Sequence, residues 1–501
     1  MLLSEVHDME YLSTRGSAER VSAAAAIARG LAGDGGLYVP DALPTVSAGE
    51  LRELCALPYR ERVGRVIAPF LPEFTAEEVK ALCAAAYGEN FDTPETAPVH
   101  FTDERTGFLE LWHGPTSAFK DMALQMLPRL LVSSLKKCGE SRGVCILVAT
   151  SGDTGKAALE GFADVEGTKI LVFYPNGGVS DVQRLQMVSQ RGANVGVCAV
   201  EGNFDDAQTG VKRIFSDRGF AKALDGRGWF LSSANSINWG RLLPQIAYYF
   251  SAYCEFVNAG KVQLGEKLDF CVPTGNFGNI LAGWLAKRMG LPVGRLICAS
   301  NANNVLTDFI HTGVYDKRRT FHVTDSPSMD ILVSSNLERL LYLLTEDAGK
   351  VAGWMTQLAA EGRYDVGAEL RGRIAEDFSA GWCGDAETEG EIARIWREYG
   401  YLIDTHTAVA SRVLAAARSA GEQDGPCCVV STASAYKFCA AVLSALGERA
   451  DAPGVELIGR LEKLTGVAAP RPLAALTGCE ERFTGCARPE DMRSVVERFL
   501  S

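Results

Sequence analysis

The chain has 501 residues, 47% of them hydrophobic and 22% charged, and carries a formal net charge of −12. That length exceeds one compact core and predicts two to four domains. The negative charge argues against a general nucleic-acid or anionic-membrane binder, so any phosphate-bearing ligand must be held by local devices such as backbone N–H groups.

The first ten residues are acidic and lack a basic segment followed by an apolar core, which argues against a signal peptide. No uninterrupted apolar run reaches membrane-spanning length. Fourteen cysteines are scattered without a Cys-x-x-Cys pair, and most, such as Cys145, Cys271 and Cys298, sit in strand-like apolar runs as small hydrophobes. Cys427 and Cys428 are neighbours in such a run and are expected on opposite faces of a strand. A reducing, cytoplasmic setting fits this usage. The six histidines show no metal-ligand spacing, so no metal site is expected.

Residues 1 to about 100 read as a first unit. Ser22 to Leu31 is alanine-rich and helical, followed by a Gly-Asp-Gly-Gly turn into the short strand Leu37-Tyr-Val-Pro40. Thr75-Ala-Glu-Glu78 is a capping box for a helix through Ala85. This unit carries no obvious chemistry and is assigned packing or oligomer contacts.

Next comes Leu109-Glu-Leu-Trp-His-Gly-Pro-Thr-Ser-Ala-Phe-Lys-Asp-Met-Ala, ending just past Lys120. An extended, Gly/Pro-punctuated segment here gives way to a helical run in which Met122, Met126 and Leu130 recur on one face. Flanked by Phe119 and Met122, Lys120 reads either as a helix-cap or ion-pair lysine or as a buried amine. Burial lowers an amine's proton affinity and makes it a nucleophile able to form a Schiff base.

From residue 144 the pattern becomes strand, loop, helix. Strands are expected at 144–149, 169–174, 194–200, 229–231, 268–272, 295–299 and 426–430. Helices are expected between them at 156–162, 181–190, 204–215, 239–256 and 279–289, with another at 435–446. Such alternation implies parallel strands covered on both faces, an α/β sheet. Residues 301 to about 338 are polar and irregular, and helix-rich sequence runs on to Gly400. No internal repeat is present. The expected domains are residues 1–100, a smaller α/β domain over 101–265 and a large α/β domain over 266–501.

Two loops fall at carboxyl ends of strands, where ligands bind in open α/β sheets. Ala149-Thr-Ser-Gly-Asp-Thr-Gly155 opens a helix and reads as an anion site or as an ordinary cap, with Asp153 as N-cap or orienting acceptor. Val272-Pro-Thr-Gly-Asn-Phe-Gly-Asn279 is a second glycine turn into a helix, with donors on Asn276 and Asn279. Two anion-competent loops suggest two phosphates, one on a cofactor and one on a substrate. A third strand end, Ser431-Thr-Ala-Ser434, offers hydroxyls either for capping before Tyr436 or for a heterocyclic nitrogen.

The Lys120 stretch, the Ser151–Gly155 loop, Ser233-Ala-Asn-Ser-Ile-Asn238 and the Gly275–Asn279 loop together resemble threonine synthase, a pyridoxal-phosphate family of the tryptophan synthase β fold. Tyr11-Leu-Ser-Thr-Arg-Gly16, Gly36-Leu-Tyr-Val-Pro40 and Asp404-Thr-His-Thr-Ala-Val409 extend the resemblance from residue 11 to about residue 440. The resemblance implies two open α/β domains with a mainly helical N-terminal domain, and pyridoxal 5'-phosphate as cofactor. It makes Lys120 the Schiff-base and catalytic lysine and places the cofactor phosphate on Gly275, Asn276, Phe277, Gly278 and Asn279, with Thr432 facing the pyridine nitrogen. It assigns Ser151, Gly152, Asp153, Thr154, Gly155 and Asn238 to the substrate. Lys156 is assigned either to a substrate phosphate or to a solvated helix face.

The implied reaction converts O-phospho-L-homoserine and water to L-threonine and phosphate, in a monomer or homodimer. A phospho-lyase releasing 2-oxobutanoate, a dehydratase and a non-catalytic cofactor-binding protein are the rivals.

Overall fold

The computed structural model describes residues 9–150 and 152–501. The strands are β1 Tyr11–Ser13, β2 Tyr38–Pro40, β3 Val99–Phe101, β4 Thr106–Glu110, β5 Gly143–Ala149, β6 Thr168–Pro175, β7 Val195–Val200 and β8 Trp229–Ser232. They continue with β9 Leu268–Pro273, β10 Val293–Ser300, β11 Val314–Asp316, β12 Arg363–Asp365, β13 Phe378–Trp382, β14 Cys427–Ser431 and β15 Cys486–Ala487.

The N-terminal unit is mainly helical, as expected. Ser22 caps the helix Ala23–Arg29 through the Ala25 N–H, and Thr75 with Glu78 forms the capping box of the helix Ala76–Ala86. β1 and β2 pair antiparallel. The unit grips the rest of the chain at 237–238 and 338–339: Asn238 Nδ2 donates to the Ile27 carbonyl at 2.9 Å, and Arg15 Nη2 pairs with Glu338 Oε2 at 2.8 Å.

Two large sheets and the antiparallel pair β11–β12 make up the remainder. A six-stranded sheet runs β13-β10-β9-β14-β4-β3, parallel except for the antiparallel edge pair β3–β4. A five-stranded sheet runs β15-β7-β6-β5-β8, parallel throughout. Each expected strand is present within two residues at each end. The sheets nevertheless cross the expected domain division twice. Residues 99–110, assigned to the smaller unit, hydrogen-bond into the larger sheet beside β14, because the register Phe108–Val429 and Leu109–Val430 buries both side chains. Residues 486–487, assigned to the large unit, add an edge strand to the small sheet beside β7. The helix Met492–Leu500 then covers that sheet, burying Met492, Val496 and Leu500.

Alternation along β14 shows how the core is divided. Cys427 and Val429 join a cluster shared with β5 and β6, whereas Cys428 and Val430 join the one facing the helix Trp239–Asn258 and the N-terminal unit. Adjacent residues thus serve opposite faces of one strand, and the parallel strands are apolar on both sides.

One charged clasp ties the N-terminal unit to the end of β4. His113 Nδ1 lies 2.5 Å from Asp92 Oδ1, and Nε2 lies 2.8 Å from Glu110 Oε2. Burial works against the imidazolium, but the two carboxylates outweigh it and push the group up to about 9. A folded-state value raised above the unfolded one, near 6.5, stabilises fully below about pH 6.5 and loses that contribution as pH rises through about 9. Urea unfolding is therefore expected to show a decline of roughly 1–3 kcal/mol between pH 6.5 and 9, at ~1.4 kcal/mol per unit. His113→Gln is expected to flatten it; an unchanged decline in that variant would assign the dependence elsewhere.

Candidate active site

Lys120 is held from two directions. The Ala118–Ala433 bridge, the Phe119 N–H on the Thr432 carbonyl at 2.8 Å and the Ser434 N–H on the Ser117 carbonyl at 3.1 Å pair this segment with the end of β14. Ser117 takes a left-handed φ of 56° to allow the pairing. Lys120 then opens the short helix Asp121–Leu124, followed by Leu127–Lys137, and Met122, Met126 and Leu130 are fully buried. Asp121 folds back, accepting from the Thr116 N–H at 2.8 Å and the Thr116 hydroxyl at 2.7 Å. Burial pushes its carboxyl up to about 7 against those two bonds.

The Lys120 amine is buried. Its Nζ lies 3.2 Å from Ser328 Oγ, 3.5 Å from Asp153 Oδ2 and 4.9 Å from the centre of the Phe119 ring. Burial lowers its proton affinity despite Asp153, and the Lys437 and Arg241 charges push the same way. Asp153, the first residue of the helix Asp153–Phe162, meets Lys437 Nζ at 3.0 Å and accepts from Gln183 Nε2 at 3.0 Å. Burial opposes its charge, yet Lys437 and Lys120 hold the carboxyl well below the usual carboxylate range. Lys437 completes its own set on the Thr116 carbonyl at 2.9 Å and Gln186 Oε1 at 3.0 Å. Asp153 is therefore the buried counter-charge of two lysines; the cap position belongs to Gly152.

Ser328 has an orientation of its own. Its N–H donates to His406 Nε2 at 3.1 Å, so that nitrogen is unprotonated and the ring proton sits on Nδ1, 2.7 Å from Asp404 Oδ2. Asp404 also caps the helix Thr405–Ser419, accepting from the His406 and Thr407 N–H groups. A helix cap and an imidazole thus hold the Ser328 backbone, and its hydroxyl accepts from Lys120 Nζ and donates to Asp153 Oδ2 at 3.4 Å.

The two strand-end loops converge here. In the first, Thr150 Oγ1 accepts from the Gly152 and Gly155 N–H groups, each at 3.0 Å. Gly152 takes φ 140°, and a Cβ there would meet the Gln183 amide at 2.5 Å. Thr154 is half-buried and Gly155 buried; Ser151 lies outside the described residues. In the second loop a Cβ on Gly275 would sit 2.9 Å from the Ser328 carbonyl, so the loop and the 326–336 segment approach as only glycine permits. The exposed Asn276 receives the Asn336 N–H on its carbonyl at 3.1 Å. Phe277, buried against Phe378 with ring centroids 5.7 Å apart, takes φ 63° and precedes the helix Gly278–Arg288 with no side-chain cap. That leaves the helix N-terminus open to an anion. Asn279 Oδ1 accepts from the Tyr248 and Tyr249 hydroxyls at 2.6 and 2.8 Å, while its Nδ2 is buried without a partner. An orphaned donor beside an uncapped helix end is a fit for a phosphate group. Thr432 is buried just past the end of β14, next to the Lys120 segment through the Phe119 N–H on its carbonyl.

Two expectations are corrected. The Asn238 amide is turned into the protein: Oδ1 caps the helix Trp239–Asn258 at Gly240 N and Nδ2 holds the Ile27 carbonyl, with the residue buried. Lys156 is neither solvated nor open to a substrate, because its buried amine binds Glu160 Oε2 at 2.8 Å and the Gln190 side-chain oxygen.

Sequence reasoning missed Lys437, Arg241, Ser328 and the Asp404–His406 pair. Lys437 and Arg241 did carry a signal, each being a lone charge inside an apolar helical run. Arg241 is 4% exposed, donates Nη1 to the Ala234 carbonyl at 2.6 Å and leaves Nε without a partner. No carboxylate pairs with it among the described residues, and burial lowers its affinity for the proton to about 10.

Known proteins share these elements. Residues 10–87 match the family described as threonine synthase N terminus, and residues 108–367 match the family of pyridoxal-phosphate dependent enzymes. Threonine synthase of Pseudomonas aeruginosa is 42% identical over 91% of this chain and 95% of its own. Human threonine synthase-like 1 is also 42% identical, over 84% of this chain, which spans only 57% of that protein's length. The crystal structure of pyridoxal-phosphate-bound threonine synthase from Brucella melitensis superimposes with a TM-score of 0.87, at 38% identity and 98% coverage of both chains.

Proposed function

This chain belongs to the threonine synthase family of pyridoxal-phosphate-dependent lyases, and from that premise we propose that it converts O-phospho-L-homoserine and water to L-threonine and phosphate. The observation that carries the choice of a phosphorylated substrate is Arg241. A guanidinium buried without a counter-charge is destabilising until an anion is brought to it. This one is close enough to Lys120 to lower its proton affinity. With Asp153 committed to Lys437 and Lys120, the pocket retains positive charge that a phosphate ester neutralises.

Pyridoxal phosphate, when bound, supplies the electron sink for carbanions next to the substrate amino group. Gly275, Asn276, Phe277, Gly278 and Asn279 would hold its phosphate at the open helix end, and Thr432 would be the hydroxyl offered to its ring. Lys120 would be the covalent tether and the base: its lowered proton affinity leaves Nζ able to take a proton, and Asp153 stabilises the ammonium that results. Ser328, its backbone held by His406, keeps the amine in register. Arg241 and the Gly152–Gly155 turn face the leaving phosphate, where fixed donors stabilise charge as it develops.

A second reading is favoured by one observation: the relative called threonine synthase-like 1 matches as closely as the one called threonine synthase. It is release of 2-oxobutanoate in place of hydration. The choice of substrate is tested by comparing O-phospho-L-homoserine with O-acetyl-L-homoserine, which has a leaving group but no dianion. A site built around the phosphate is expected to prefer the phosphate ester on the order of 10⁴-fold in kcat/KM. Equal turnover would overturn the reading of Arg241.

A further inference from the structure

Cys55 ends the helix Ala48–Cys55 of the N-terminal unit, and Cys254 lies in the helix Trp239–Asn258 against which that unit packs. Two side chains grip the Cys55 carbonyl: Asn258 Nδ2 at 3.0 Å and Arg62 Nη2 at 3.1 Å. Asn258 follows Cys254 by one helical turn, so the two stand on one face of the helix, and the grip on Cys55 brings its side chain over Cys254. Arg62 completes the bracket, reaching Ser251 Oγ at 2.9 Å and Glu255 Oε1 at 2.6 Å on the same helix. Cys254 lies between Ser251, Glu255 and Asn258 on that helix, so the bracket sets Cys55 beside it.

The pair is unequal. Cys254 is fully buried, whereas Cys55 is half-buried and open to solvent on one side. The neighbouring Cys254, helped by Arg62 and opposed by partial burial, lowers the Cys55 thiol. Cys55 and burial push Cys254 up. One cysteine is reached by solvent and has the lowered thiol; the other is sheltered beside it.

We propose that Cys55 and Cys254 form a redox-modification site that takes low-molecular-weight disulfides of the glutathione class and closes to an internal disulfide. The Cys55 thiolate attacks one sulfur of the small disulfide, breaking its S–S bond and forming a mixed disulfide, while the released thiolate takes up a proton. Cys254 then gives up its proton and attacks the Cys55 sulfur, expelling the second small thiol. Two protein thiols are oxidised and one small disulfide is reduced to two thiols. The product staples the N-terminal unit to the helix whose start carries Arg241 and whose middle carries Tyr248 and Tyr249, the partners of Asn279. A cross-link closing so long a loop restricts the unfolded chain, and the melting temperature is expected to rise by roughly 2–5 °C.

The test incubates the cofactor-loaded protein with oxidised glutathione, blocks remaining thiols and maps peptides without reduction. The expected result is a Cys55–Cys254 cross-linked peptide, reversed by dithiothreitol, with the upward melting shift. Cys254→Ser is expected to stop at glutathione on Cys55, and Cys55→Ser to leave Cys254 unmodified. Glutathione remaining on Cys55 of the unsubstituted protein, or modification confined to the exposed Cys138, Cys479 and Cys486, would overturn the proposal.

Discussion

Lys120→Ala is expected to lower kcat by roughly 10³-fold or more, within the range by which a positioned acid–base group contributes, and to abolish covalent capture of the cofactor by borohydride. The expectation rests on the amine's surroundings. Lys120 Nζ is buried with one carboxylate partner among the described residues, and that carboxylate is closer to Lys437, at 3.0 Å against 3.5 Å. A lysine placed only to neutralise Asp153 would sit nearer to it than Lys437 does. Lys120→Arg separates the two readings, since it keeps the charge and removes the transferable amine proton. Loss of activity and of the borohydride-stable adduct in both variants supports the tether-and-base assignment. Retained activity in the arginine variant would make Lys120 an ion-pair residue.

Arg241→Met is the second large effect, and its signature is a split. KM for the phosphorylated substrate is expected to rise roughly 10²–10³-fold, as when one partner of a buried charge pair is truncated. Thermal stability is expected to hold or increase, because an unpaired buried cation leaves the apo protein. Arg241→Lys retains charge without the planar fork and is expected to recover only part of the affinity. A fall in melting temperature with unchanged KM would show that Arg241 serves the 233–238 turn through the Ala234 carbonyl and nothing else.

These residues also mark what a sequence makes legible. The strands β5, β6, β7, β9 and β10 were readable because parallel strands buried on both faces are continuous apolar runs. β4 was not: Thr-Gly-Phe-Leu-Glu offers two apolar residues, and its place beside β14 is set by tertiary pairing. The edge strand β13, Phe-Ser-Ala-Gly-Trp, has no β-branched residue at all. Within the site, Lys120 and the glycine loops were visible because turn chemistry and strand-to-helix junctions leave local traces. Ser328 left none. It lies in an irregular polar stretch and reaches Lys120 only because Gly275 lets that stretch pack on the second loop. Asn238 was misread for the same reason in reverse, since a motif can border a site while its side chain faces the other way, here onto Ile27.

Hydration of the substrate-derived carbon skeleton, in place of its loss as an oxo acid, is read from product stoichiometry with O-phospho-L-homoserine in ¹⁸O-labelled water. One L-threonine per phosphate released is expected, with the label in the β-hydroxyl. Phosphate accompanied by 2-oxobutanoate and ammonia, with no labelled threonine, would contradict it.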